Sequence, residues 1–255
     1  MLHPLFCLLL LACNVPAQPD LAFPDQGEVA PAPMVAGPPA LELPRHPALS
    51  PDGSKVAFAH QGDIWVADVA DGMAMRLTAH DSLDARPSWS ADGQELAFVS
   101  NRHGNYDVYL MPAWGGTPTR VTYDSESERL NEWIDGDRIL VSATKERNYS
   151  RRGRGAWVAY RDGRTPTLLG DWPMQNPTLT ADGGALVYER GHGDPSRRAY
   201  RGPASSELWV TDLASGEDRA LTTFDGNDLQ PMLAGDWVYF LSDRACPGND
   251  AGRDL

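Results

Sequence analysis

Apolar residues in this chain fall in short alternating runs separated by Gly, Pro, Asp and Asn. That spacing is the two-residue period of half-buried β-strands, and the runs are too short to read as helices. The runs also come in a repeating order. Pro47-Ala-Leu-Ser-Pro-Asp-Gly precedes the strand Val56-Ala-Phe-Ala, then Asp63-Ile-Trp-Val-Ala-Asp, then Met75-Arg-Leu-Thr78. A second copy reads Pro87-Ser-Trp-Ser-Ala-Asp-Gly, Leu96-Ala-Phe-Val-Ser, Asp107-Val-Tyr-Leu-Met and Thr119-Arg-Val-Thr122. A worn third copy runs from Asn131-Glu-Trp-Ile-Asp-Gly to Leu169, and a fourth from Pro177-Thr-Leu-Thr-Ala-Asp-Gly to Thr222. A fifth begins at Pro231 and is expected to be incomplete.

The Asp-Gly pairs at Asp52, Asp92, Asp135 and Asp182 lie 40, 43 and 47 residues apart, close to the period of about 40 to 45 residues of four-stranded propeller blades. Asp-Gly is expected to supply the positive-φ positions of a hairpin, and the Ile, Trp, Val and Tyr positions to pack between blades. The polar Arg-Leu-Thr strand would take the outer edge of each blade. The expected fold is therefore all-β, a β-propeller with about five of six blades present, near 46–78, 87–122, 131–169, 177–222 and 231–255. Two connections between second and third strands are lengthened, Lys145 to Gly155 and Gly191 to Ser206. In a propeller both would emerge over one mouth of the central channel.

Ahead of the repeats, residues 16 to 44 hold eight prolines without apolar periodicity and read as an extended tether. Leu5 to Ala12 is apolar and has the size of a secretory signal core, giving a signal over 1–17 and a linker over 18–45. Leu10-Leu11-Ala12-Cys13 resembles a lipobox that would lipidate Cys13, with cleavage after Ala17 as the alternative. The expected location is the periplasm or outer membrane, with a lipid anchor as the only membrane contact. A misassigned start would instead leave the chain in the cytoplasm. Cys7 and Cys13 both fall in this leading segment, which leaves Cys246 alone in the body, so no disulfide framework is expected.

A net charge of -13 argues against nucleic acid as a partner, because an acidic surface repels phosphates. No Gly-x-Ser-x-Gly, His-Glu-x-x-His, phosphate-cradling loop or cysteine cluster occurs, so neither catalytic residues, metal nor cofactor are expected. The histidines at 3, 46, 60, 80, 103 and 192 are scattered without metal or triad spacing, and all but His192 read as loop residues. Asp63, Asp107 and Glu207 recur at the start of third strands, which favours a structural role, since a catalytic group is needed once rather than in every blade. Residues 145–164 and 190–201 carry 11 of the 22 Lys and Arg for a net charge of +8, against -21 for the remainder. Such a patch suits an anionic group, with paired arginines matching a carboxylate. Solvated arginines that pair with the acidic blades are the competing reading.

Pro-x-Leu-Ser-Pro-Asp-Gly, Ser100-Asn-Arg-His-Gly-Asn-Tyr-Asp-Val-Tyr, Tyr200-Arg-Gly, Leu213-Ala-Ser-Gly-Glu and Phe240-Leu-Ser-Asp-Arg together resemble the amino-terminal propeller of tricorn-type serine peptidases over residues 46 to 244. The blade motif itself is shared with TolB-like propellers. The resemblance implies a six-bladed propeller that handles peptide substrates of a longer, oligomer-forming peptidase, with the serine nucleophile on a separate domain. It also implies that Arg151 and Arg152 match an arginine pair that holds a peptide's terminal carboxylate. The alternatives are a TolB-like propeller that binds envelope proteins and the propeller of a prolyl-oligopeptidase-like hydrolase.

Overall fold

The computed structural model describes residues 6–10, 43–144, 154–170, 173–191, 205–235 and 237–243. Every element among them is a strand. After an initial strand β1 (Phe6–Leu10), the first blade comprises β2 (Arg45–Leu49), β3 (Lys55–His60), β4 (Asp63–Asp68) and β5 (Ala74–Arg76). The second has β6 (Asp84–Trp89), β7 (Glu95–Ser100), β8 (Asp107–Pro112) and β9 (Thr119–Arg120). The third has β10 (Arg129–Trp133), β11 (Arg138–Ala143), β12 (Gly155–Tyr160) and β13 (Thr167–Gly170). The fourth has β14 (Gln175–Leu179), β15 (Ala185–Arg190), β16 (Glu207–Asp212) and β17 (Asp218–Ala220), and the fifth is represented by β18 (Asp228–Ala234) and β19 (Trp237–Ser242).

Each of the four full blades is an antiparallel meander in chain order, as the repeat predicts. The other edge of β19 is covered by β1, which lies parallel to it from Phe6 opposite Trp237 to Leu10 opposite Leu241. An unpaired strand edge offers a row of free N–H and C=O groups, and an apolar extended segment satisfies them.

The core lies between blades. Ile64 and Val66 of the first pack against Leu96, Phe98 and Met111 of the second. Val99, Val108 and Leu110 of the second meet Ile139 and Val141 of the third. Leu140 and Met174 meet Leu186 and Tyr188, and Val187, Leu208 and Val210 meet Val238 and Phe240. Strand alternation gives each middle strand two apolar faces, one for each neighbour, which is why the middle strands are buried almost throughout.

The hairpin after each first strand is built on a Ser/Thr-x-Asp-Gly unit. Ser50, Ser90 and Thr180 donate to Asp52, Asp92 and Asp182, each at 2.6 Å. The same carboxylates accept the backbone N–H groups of Ser54, Gln94 and Gly184. Gly53, Gly93 and Gly183 all sit near φ +70°. Gly136 of the worn third copy is not in the left-handed region, so the uniform hairpin expected from Asp-Gly holds in three blades.

The Arg-Leu-Thr strand does more than present a polar edge. The buried hydroxyls of Thr78, Thr122 and Thr222 accept the N–H groups of Ile64, Val108 and Leu208 at the start of the third strands. Arg76 and Arg120 pair with Asp63 and Asp107 at 2.6 and 2.7 Å. The recurring carboxylates at 63 and 107 are therefore structural.

Candidate functional site: a cation-lined channel mouth

In the four full blades the connection between second and third strands is tied to the entry of the next blade. The carbonyls of Gly62, Tyr106, Arg154 and Ser206 accept the N–H groups of Asp84, Glu128, Met174 and Asp228 at 2.7 to 2.8 Å. These connections therefore share one face with the blade-to-blade crossings. The chain leaves β11 at Ala143 and re-enters β12 at Gly155 on that face, as the sequence predicts for the basic insertion. Arg151 and Arg152 lie outside the described residues, as do Cys13, Lys145, Arg147, His192, Arg197, Arg198 and Arg201.

The first strands line the channel, and all five carry a bulge. In four of them the bulge holds a non-glycine residue in the left-handed region: His46, Arg86, Asn176 and Gln230, with φ between 46° and 55°. Each immediately precedes a proline of the repeat, at 47, 87, 177 and 231. A bulge at this register turns an extra residue out of the ladder, which is how a strand otherwise committed to pairing presents a polar side chain to the axis.

The result is a concentration of positive charge that a single carboxylate, Glu189, offsets in part. Burial holds the Arg86 guanidinium down to about 10, and Arg129 and Arg154 repel its charge further. Arg129 is lowered by burial and by Arg154, with Glu189 the one carboxylate that opposes the shift. Arg154 is lowered by burial, and its guanidinium reaches the Ser142 carbonyl at 3.5 Å. Ser142 is also the register partner of Arg129, so both arginines border one point of the mouth. Burial, then Arg86, Arg129 and Arg45, lower His46 to about 4 and leave it neutral at pH 7. Arg129 Nε and His46 Nδ1 are buried without hydrogen-bond partners.

Below this cluster lies a cavity of about 220 Å³ lined by the first strands of four blades, including Arg86, Leu130, Asn131, Asn176, Thr178 and Pro231. Asn131 Nδ2 is buried there without a partner. Glu132 also borders the cavity but is occupied, accepting Leu179 N–H at 2.7 Å and the Thr178 hydroxyl. Glu189 accepts Gln230 N–H and Asn176 Nδ2. Burial pushes both carboxyls up.

The basic patch expected from sequence divides. Arg154 joins the channel mouth, whereas Arg161 and Arg164 lie beyond the far end of β12 and pair with Glu95, Asp137 and Asp162 at 2.6 to 2.8 Å. Arg190 stacks on Trp209 with Asp218 at 3.6 Å. Pairing with acidic blades thus accounts for those three arginines. Two histidines depart from the loop reading: His46 lies in β2 and His60 in β3, buried edge-on to Trp65. No group of three His, Cys, Asp or Glu suited to a metal occurs among the described residues.

Meander blades packed around a channel with a cation-lined mouth define a propeller module. Its family is that of the tricorn protease N-terminal beta propeller domain, whose model matches residues 41–249, and the chain belongs to it. A tricorn protease homolog of Saccharolobus solfataricus is 29% identical over 210 residues, covering 80% of this chain but 19% of that protein. A putative tricorn-like protease N-terminal subunit of Sulfurisphaera tokodaii is 26% identical over 171 residues, covering 64% of this chain and 85% of its own length. The crystal structure of the tricorn protease superposes with a TM-score of 0.66 at 20% identity, over 79% of this chain and 20% of that one. The chain thus spans about a fifth of the full-length homologue it matches.

Proposed function

We propose that this chain is the substrate-handling propeller of a tricorn-like serine peptidase, admitting peptides at the basic mouth and holding their terminal carboxylate on Arg151 and Arg152. The observation that carries this reading is the return of the basic insertion, through Arg154, onto a channel mouth where Arg86, Arg129 and Arg154 form no ion pair among the described residues. A guanidinium pair recognises a carboxylate through two parallel charge-assisted hydrogen bonds. The nucleophile, base and oxyanion donors would come from a separate catalytic domain. The relative named as an N-terminal subunit supports a propeller that works together with a catalytic partner chain. On this reading the apolar run before Cys13 exports the protein and its removal would uncover the β19 edge that β1 pairs, which the mass of the mature amino terminus would test.

The anchor has a direct test. Arg151→Ala combined with Arg152→Ala should weaken binding of a short peptide with a free carboxylate by roughly tenfold or more, the scale of a hydrogen bond to a charged group. The amidated peptide should bind the variant as it binds the parent. Equal loss for both peptides would remove the carboxylate anchor from the proposal.

A further inference from the structure

Seven arginines in the described blades have a carboxylate partner: Arg76, Arg102, Arg120, Arg138, Arg161 and Arg164 at N to O distances of 2.6 to 2.8 Å, and Arg190 at 3.6 Å. Arg86 and Arg129 have none, and together with Arg154 they differ from the other unpaired arginines in being more than half buried and in repelling each other. Neither has an ion pair or hydrogen bond among the described residues, and the charges that bear on Arg86 are those of Arg129 and Arg154. In a chain with 35 acidic residues against 22 Lys and Arg, acids are in ample supply, so this grouping is not forced by composition. Like charges brought together with partial loss of water raise the free energy of the unliganded fold. A bound anion removes that cost.

The donors point to what the anion is. Arg86 and Asn131 border the same cavity, Asn131 Nδ2 has no partner within the protein, and Arg129 immediately precedes the cavity-lining Leu130 with its Nε unpaired. The two carboxylates nearby, Glu132 and Glu189, spend their oxygens on backbone and side-chain donors; Glu189 offsets Arg129 in part, and no carboxylate acts on Arg86 among the described residues. A cavity of about 220 Å³ has room for a compact group but not a folded segment. We propose that Arg86, Arg129 and Asn131, with Arg154 beside them, form an oxyanion site inside the channel that takes a carboxylate or phosphate group. The site draws on neither Arg151 nor Arg152, and stands whether or not that pair holds a terminal carboxylate. Two sources of such a group reach a channel of this kind: a free inorganic oxyanion, or the acidic side chain of a peptide entering it.

The test follows thermal unfolding and calorimetric binding of the 255-residue chain at fixed ionic strength, with sodium chloride as the matched control. The probes are inorganic phosphate, an acetylated and amidated peptide containing one Glu, and its Gln counterpart. The expected result is a rise in melting temperature and measurable binding with phosphate or the Glu peptide, and neither with chloride or the Gln peptide. Response to phosphate alone assigns a free anion, and response to the Glu peptide assigns a peptide side chain. Arg86→Gln and Arg129→Gln should each weaken binding by roughly tenfold or more, because each removes charge-assisted donors. Without ligand both variants should melt no lower than the parent, since the substitution relieves repulsion. A purely structural role for these arginines predicts the reverse. Arg164→Gln, on the opposite face, should retain the parent's response. Absence of any anion-specific shift in the parent overturns the site by itself, as does full retention of binding in both channel variants.

Discussion

Gly53 and Gly136 occupy the same place in the repeat but carry different backbone loads. Gly53 sits at φ +72° with open space around its Cβ direction, whereas Gly136 has equal space and an ordinary φ. Gly53→Ala should therefore cost about 1 kcal/mol, from left-handed strain alone. Gly136→Ala should be neutral or stabilise by up to about 1 kcal/mol through a less flexible unfolded chain. Urea denaturation of the pair measures this, and equal costs would show that the third hairpin is as tightly specified as the others. His46 adds a pH signature. Its pKa falls from 6.5 in the unfolded chain to about 4 in the fold, so the unfolded chain binds the extra proton between those values. Stability tied to His46 is complete above pH 6.5 and erodes as pH falls toward about 4. His46→Gln should narrow the loss of stability between pH 7 and pH 5 relative to the parent, in paired denaturation curves. Its position was legible only in part. The proline that follows each bulge is plain in the sequence, but that the preceding residue turns into the channel depends on a left-handed backbone that strand periodicity does not encode.

At the scale of the element, two arginine–aspartate pairs of identical topology differ in depth. The Asp107 side chain is fully buried with Arg120 at 19% exposure, whereas Asp63 is 7% exposed and Arg76 47%. Asp63 also keeps hydrogen bonds from the Thr78 hydroxyl and His80 N–H if its arginine is removed. Arg120→Met should cost about 3 to 5 kcal/mol at neutral pH, the penalty for stranding a buried charge. Arg76→Met should cost no more than about 1 kcal/mol, as for an exposed pair. Burial already raises the Asp107 carboxyl, and losing Arg120 raises it further. The fold then takes up a proton more readily than the unfolded chain, so the deficit should shrink as pH falls and Asp107 becomes neutral. A deficit independent of pH would trace instead to lost packing of the arginine stem. The strand order and both partners of these pairs were readable from the repeat, because Asp at the third strand and Arg-x-Thr at the fourth recur together. The buried threonine cap was not, since a hydroxyl in a polar strand looks like surface until its acceptor role is seen.

Across the whole molecule each blade touches only its neighbours, so stability is approximately the sum of blade and interface contributions. Carboxylates on the channel side join two of those interfaces: Glu132 of the third blade accepts Leu179 N–H of the fourth, and Glu189 of the fourth accepts Gln230 N–H of the fifth. The repeat gave no sign of them, because the place of Glu132 is held by Ala48, Ser88, Thr178 and Met232 in the other blades, and Glu189 stands near a strand end of variable composition. Glu132→Ala leaves a buried N–H unpaired and should cost about 1 to 3 kcal/mol. Glu132→Gln keeps an acceptor and removes a charge that burial disfavours, so it should match or exceed the parent in stability. The sign with pH is defined. Because the Glu132 carboxyl is raised above its ordinary 4.5, the folded chain holds its proton longer than the unfolded one. The parent therefore loses stability as pH climbs from 4.5 through the raised value, and the Gln variant lacks that loss. Hydrogen exchange locates the effect: in Glu132→Ala the amides of β14 should lose protection while those of β3 and β4, two interfaces away, stay unchanged. Uniform loss through all blades would mean that the propeller unfolds as one cooperative unit instead of through its interfaces.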